Sequence, residues 1–190
     1  MRIYLAGPDV FLPDAAAIAA EKKAICARHG AFGIFPTDPI ADPAAEAATE
    51  RWYEIYLRNE AHIRAADAMI ANLTPFRGPS ADAGTVYEVG FMRALGRPVA
   101  GYTNSAEDFT RRTRAFLGEA LRPLPDGGWA DGEGLHLESF GCHDNLMIDG
   151  GIRASGARLI ARAVPEEQRW RDLTAFEACL VSLLRGKIAA

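Results

Sequence analysis

The heptad GTVYEVG at 84–90 sets one carboxylate, Glu88, among Val86, Tyr87, Val89 and Phe91, with a glycine at either end. A carboxylate in apolar surroundings either costs stability or does chemistry, because burial disfavours its charged form. In the first turns of a helix Glu88 has two readings. On the surface it opposes the positive helix end, a gain of roughly 0.3–1 kcal/mol. In a pocket it is a candidate nucleophile or general base, and Gly84 and Gly90 leave room for a ligand near the backbone. Three more residues belong with it. Asp82 stands in the loop before this helix, where capping is its default role. Asp67 opens an apolar run and is either a turn residue or a polar group aimed at a ligand. Tyr4, inside "RIYLA", reads alone as a core tyrosine whose hydroxyl needs a partner.

Other chemistries find little support. His29 and His62 fall on predicted helices and read as solvated or C-terminal charges, while His136 and His143 have no partner spacing. Cys26, Cys142 and Cys179 lack a C-x-x-C or a paired Cys/His pattern, so no metal site is expected. Such scattered thiols fit a reducing, cytoplasmic setting. There is no G-x-S-x-G, Walker loop or full G-x-G-x-x-G, and "AGP" at 6–8 is a single-glycine turn, so no dinucleotide cofactor is expected. "LPDGGWADGEG" at 124–134 lacks the ligand spacing of a calcium loop. Lys and Arg number 21 against 25 Asp and Glu, a formal charge of −4, which argues against nucleic-acid binding. No run of about 18 apolar residues exists to span a membrane. "MRIYLAGP" resembles a first core strand and not a signal peptide.

The elements that must position these residues alternate. "RIYLA" at 2–6 predicts a buried strand. Residues 14–29 predict a helix capped by Asp14, with Ile18 and Ile25 on one face and Gly30 at its end. "FGIFP" at 32–36 is the second strand, and 37–48 a Pro/Asp/Ala connector. Residues 49–66 predict a helix whose stripe is Trp52, Ile55, Tyr56, Asn59, Ile63 and Ala66. "DAMIANL" at 67–73 is the third strand and 74–84 a turn-rich loop. A helix over 85–95 and the strand "PVAGYT" follow. This alternation implies a mostly parallel sheet with helices on both faces, and ligands beyond the carboxyl ends of its strands. Residues 135–140 are a strand or an extended lead-in, and 157–164 are strand or helix. Residues 166–185 predict a last helix with the stripe Trp170, Leu173, Phe176, Leu180 and Leu184. With 190 residues and no linker, 1–190 reads as a single domain.

Three segments together, "YLAGPDVF" at 4–11, "ADAMIANLTPFRGPSADAGTVYEVG" at 66–90 and "NLM" at 145–147, resemble the nucleoside 2-deoxyribosyltransferases. The resemblance covers roughly residues 3–150. It implies a flavodoxin-like doubly wound sheet and transfer of 2-deoxyribose from a 2′-deoxynucleoside to a free nucleobase, with no metal or cofactor. It makes Glu88 the nucleophile, Tyr4 the residue that holds it and Asp67 the group at the base. Asp82 and Asn145 would bind the sugar 5′-hydroxyl, with Asn145 reaching in from a neighbouring subunit of a homodimer or larger oligomer. Gly7, Phe11, Gly84 and Met147 complete the implied substrate-binding set. A related branch hydrolyses 2′-deoxynucleoside 5′-monophosphates with a serine at the position of Asp82. Asp82 would repel a phosphate by about 1 kcal/mol at 4 Å even in water. A silent nucleoside-binding domain is a third reading, which the intact set of site residues argues against.

Overall fold

A computed structural model describes residues 1–186. Strand β1 (Arg2–Ala6) leads through helix α1 (Ala15–Arg28) to β2 (Phe32–Ile34). The short α2 (Pro43–Glu46) and the longer α3 (Arg51–Ala65) precede β3 (Ala68–Asn72). Helix α4 (Ala83–Ala94) follows, then β4 (Val99–Thr103) and α5 (Phe109–Leu117). An antiparallel pair, β5 (Arg122–Pro123) and β6 (Trp129–Ala130), precedes α6 (Leu146–Ala154), β7 (Leu159–Ala161) and α7 (Thr174–Gly186).

Five strands pair in parallel in the order β2-β1-β3-β4-β7. That is the flavodoxin-like order, with its switch point between β1 and β3. Side chains alternate along each strand and divide the core in two. Ile3, Leu5, Ile70, Ala100 and Tyr102 face α1 and α7, where they meet Ile25, Cys26, Phe176 and Leu180. Tyr4, Ala6, Met69, Ala71 and Val99 face the other side, against Ile63, Val89, Met92, Ile148 and Ile152. The parity of β1 therefore puts Tyr4 on the α3/α4 side of the sheet.

Several sequence expectations change. The last helix begins at Thr174, whose N–H is taken by Asp172 Oδ1 at 2.8 Å. Trp170 thus lies outside its stripe and meets Phe76 edge-on at 6.2 Å. Residues 157–164 resolve as β7, and 135–140 as an extended lead-in with one isolated bridge, Ala130 to His136. The 37–48 connector holds α2, capped by Asp42. Asp14 makes no capping bond and instead pairs with Arg171 at 2.6 Å. The upper half of the α3 stripe does not enter the core: Trp52, Ile55 and Tyr56 are all exposed. His62 is buried, not solvated, with Nε2 3.0 Å from the Asp38 carbonyl. Among the described residues no helix is long and apolar enough to cross a membrane.

Candidate active site

The chain leaves β1 at Ala6 and β3 at Asn72, the carboxyl edge beside the switch point. Two loops rise there, and a cleft of about 400 Å³ opens between them and α3. Gly7, Val10 and Phe11 form one wall and Asp82, Gly84, Thr85 and Glu88 another. Ile55, Arg58 and Asn59 of α3 stand opposite, with Asp38 from the connector.

Glu88 sits on the second turn of α4 and faces the cleft. Beneath it, the fully buried Tyr4 donates its hydroxyl to Glu88 Oε1 at 2.6 Å. Burial pushes the Glu88 carboxyl up to about 7; the Tyr4 hydrogen bond opposes this and the Asp82 charge adds to it. Burial, then the adjacent Glu88 charge, pushes Tyr4 well above the ordinary phenol range, so Tyr4 stays a hydrogen-bond donor. The result is a carboxylate near neutrality held by one fixed donor, an arrangement suited to a nucleophile or base.

Gly7 is required by its surroundings. Its φ is +153°, and a Cβ there would lie 2.5 Å from Asp9 Oδ2 and 2.7 Å from Asn72 Cβ. Asp9 is itself buried, paired with Lys22 at 2.7 Å and bonded by Asn72 Nδ2 at 3.2 and 3.3 Å. The ion pair ties the Gly7 loop to α1 and the Asn72 bonds tie it to the end of β3; either charge alone in that interior would be costly. Phe11 stacks on Phe76 at 5.3 Å, and the Arg77 guanidinium lies over both rings. Arg77 holds a left-handed φ of +56°, a conformation disfavoured for a residue with a side chain.

Asp82 caps α4 as its default role predicts. Its Oδ2 accepts the Thr85 N–H at 2.9 Å and the Thr85 hydroxyl at 3.0 Å. Gly84 lines the cleft, whereas Gly90 does not, and a Cβ at Gly90 would meet nothing within 4 Å. Of the two glycines expected to clear space for a ligand, only Gly84 stands at the cleft.

Three expected residues lie elsewhere. Asp67 precedes β3, so it stands at the amino edge of the sheet, roughly 16 Å from the cleft edge at 3.3 Å per strand residue. There it accepts the Arg2 N–H at 2.7 Å. Asn145 caps α6, with Oδ1 on the Met147 N–H at 3.0 Å and Nδ2 on Glu138 Oε1 at 2.5 Å. Met147 projects from the surface at 74% exposure. Neither lines the cleft of its own chain.

The structure also adds residues that spacing did not single out. Asn59 shares the spacing of the α3 stripe, yet it lines the cleft and its Oδ1 is buried without a hydrogen-bond partner among the described residues. Arg58 Nε has the same status. The signal was available: one amide interrupts an otherwise apolar face. A second recess of about 330 Å³, lined by Trp52, Tyr56 and Tyr87, shares Ile55, Asn59, Gly84 and Glu88 with the cleft. The exposed half of the α3 stripe thus lines recesses around Glu88. Among the described residues no group of three His, Cys, Asp or Glu could hold a metal ion.

The chain resembles known proteins over most of its length. The family model for nucleoside 2-deoxyribosyltransferase matches residues 3–147. An uncharacterized protein of Schizosaccharomyces pombe is 34% identical over 166 residues, 81% of this chain and 78% of that one. A solved structure described as a 2-desoxiribosyltransferase from Leishmania mexicana shares 30% identity at a TM-score of 0.57. It covers 77% of this chain and 84% of its own. A conserved protein from Enterococcus faecalis shares the fold, with 21% identity, a TM-score of 0.53 and 98% coverage of each chain. The chain therefore belongs to the nucleoside 2-deoxyribosyltransferase family, enzymes that act on nucleosides.

Proposed function

We propose that this protein transfers 2-deoxyribose between nucleobases through a covalent deoxyribosyl–Glu88 intermediate. The observation that carries this reading is the 2.6 Å bond from the buried Tyr4 hydroxyl to Glu88 on the cleft wall. In the first half-reaction a Glu88 oxygen bonds to C1′ as the bond from C1′ to the base nitrogen breaks. The bonding pair leaves with the base. In the second, a nitrogen of the incoming base attacks C1′ as the Glu88 ester bond breaks and returns the carboxylate; that nitrogen loses its proton to water, matching the proton the departed base takes up from water. Two inversions give net retention. The transition states resemble an oxocarbenium ion, which an anion beneath the ring stabilises. A 2′-hydroxyl would withdraw electrons from that centre, so 2′-deoxy sugars are favoured.

With C1′ over Glu88 and the 5′ end toward Asp82, the base lies toward Phe11 and α3. Arg58 and Asn59 on that wall stabilise the departing base. Asp67, at the far edge of the sheet, is not carried into this step. Asn145 serves the site of a neighbouring copy, which makes the working protein an oligomer. The exposed Leu146 and Met147, next to it in the chain, support this, because adjoining exposed apolar residues mark contact sites.

Incubation with deoxyinosine and adenine tests the reading. Formation of deoxyadenosine supports transfer. Release of hypoxanthine and free deoxyribose without new nucleoside would make the protein a hydrolase. Binding without turnover would make it a nucleoside-binding domain.

A further inference from the structure

The loop before Asp82 and the segment that begins at Asn145 are tied to one buried carboxylate. Asp144 is 1% exposed. Its Oδ1 accepts the Ser80 hydroxyl at 2.5 Å and the Asn145 N–H at 2.8 Å, and its Oδ2 accepts the Ala81 N–H at 2.9 Å. One side chain thus holds the residue before Asp82 and Asn145 itself.

Arg112, on α5, completes the knot. It is 8% exposed, and Nη2 lies 3.7 Å from Asp144 Oδ2. Its Nε donates to the Pro79 carbonyl at 2.8 Å, Nη2 to the His143 carbonyl at 2.5 Å, and Nη1 to the Glu107 carbonyl. Three segments that are far apart in sequence converge on this guanidinium: the loop after β3, the start of the 104–135 segment and the turn before α6. A planar fork of five donors suits such a junction, and a lysine ammonium does not. Asp149 holds the turn from the other side, accepting the His143 and Asp144 N–H groups at 3.2 and 2.9 Å.

We propose that Asp144 and Arg112 are positioning residues that set Asp82 and Asn145 for recognition of the sugar 5′-hydroxyl. The inference rests on the reading of this cleft as a deoxynucleoside site. Asp144 touches no substrate. It fixes the backbone from which each of the two 5′-end residues projects, and Arg112 supplies the charge that lets a buried carboxylate persist there. Since Asn145 serves a neighbouring copy, each knot governs its own site through Asp82 and the neighbour's through Asn145. This also gives α5 a task in the site although none of its residues lines the cleft.

The test compares 2′-deoxyadenosine with 2′,5′-dideoxyadenosine as donors, with kcat and KM measured separately for base exchange, and thermal melts run alongside. A hydrogen bond to a charged group corresponds to about 10- to 150-fold, so the wild-type protein should prefer the 5′-hydroxyl donor by about that factor in kcat/KM. In Asp144→Asn and Arg112→Lys the preference should fall to under about threefold on the same scale. KM should rise for the 5′-hydroxyl donor and stay unchanged for the dideoxy donor. A folded Asp144→Asn that keeps the wild-type preference overturns the proposal, as does a wild-type protein that turns over both donors equally. Should both variants fail to fold, Ser80→Ala removes one hydroxyl contact to Asp144 and carries the test. A two- to fivefold loss of preference there supports the knot, and an unchanged preference overturns it. No turnover of either donor by wild type would sink the assigned function together with this inference, whereas equal turnover sinks this inference alone.

Discussion

Removing one oxygen from Tyr4 tests how the site sets the charge of Glu88. Tyr4 is fully buried and its hydroxyl is the donor to Glu88 Oε1 at 2.6 Å. A hydrogen bond to a charged group is worth about 1.5–3 kcal/mol, and one pKa unit corresponds to about 1.4 kcal/mol. Tyr4→Phe therefore raises Glu88 from about 7 by about one to two units. At pH 7 the ionised fraction drops from about a half to between about a tenth and a hundredth. The variant should thus lose roughly 5- to 50-fold in kcat/KM at pH 7 and regain most of it above about pH 9. The assay is the pH dependence of kcat/KM for base exchange, whose acidic limb reports the free enzyme. A limb that stays in place while the rate falls equally at every pH would refute the reasoning. So would a wild-type limb near the ordinary glutamate value.

Glu88→Gln should abolish exchange yet stabilise the fold at alkaline pH. The folded carboxyl is raised from 4.5 to about 7, so wild-type stability is full below about pH 4.5 and declines until the pH passes 7. The variant escapes that loss, at most about 3 kcal/mol, so its melting temperature should exceed wild type at pH 8 and match it at pH 4. Gly7→Ala should cost about 2–5 kcal/mol, because the new methyl meets Asn72 Cβ at a backbone angle unsuited to alanine. Denaturant melts read it directly, and an unperturbed midpoint would contradict the described packing. Asp67→Asn should change kcat by less than about twofold, since strand geometry puts it roughly 16 Å away. A hundredfold fall would return Asp67 to the chemistry.

The layered architecture was legible because parallel strands buried on both faces read as short apolar runs, and helices between them carry 3.6-residue stripes. "RIYLA", "AMIAN" and "VAGYT" are buried from end to end but for Arg2. The chain after residue 104 was less legible for a physical reason. Strands β5 and β6 are two residues each, and β7 is three, too short to show alternation. The last helix starts at Thr174, eight residues after position 166, where the sequence pattern predicts its start. Helical periodicity continues through Trp170, but Asp172 takes the Thr174 N–H and starts the helix there.

Within the site, legibility followed the direction of the chain. Tyr4 and Glu88 are 84 residues apart and hydrogen-bonded; the apolar run around Tyr4 reads only as a core strand, and the family resemblance alone pairs it with Glu88. Asp67 and Asn59 were harder. Both precede β3, and only the three-dimensional path separates them. Asp67 sits where the strand begins, at the edge of the sheet away from the loops. Asn59 sits one and a half turns before the end of α3, on a helix that runs back past the carboxyl edge, and so lines the cleft. A carboxylate on a strand attracts attention, and an amide in an aromatic stripe does not. In a parallel sheet, however, the end of the strand decides which groups can meet a ligand. The same rule explains how Glu88 comes to line the cleft as a single acid among apolar neighbours. Its helix starts at the carboxyl edge, its partner Tyr4 rises from the adjacent strand, and the surrounding burial raises its pKa to about 7.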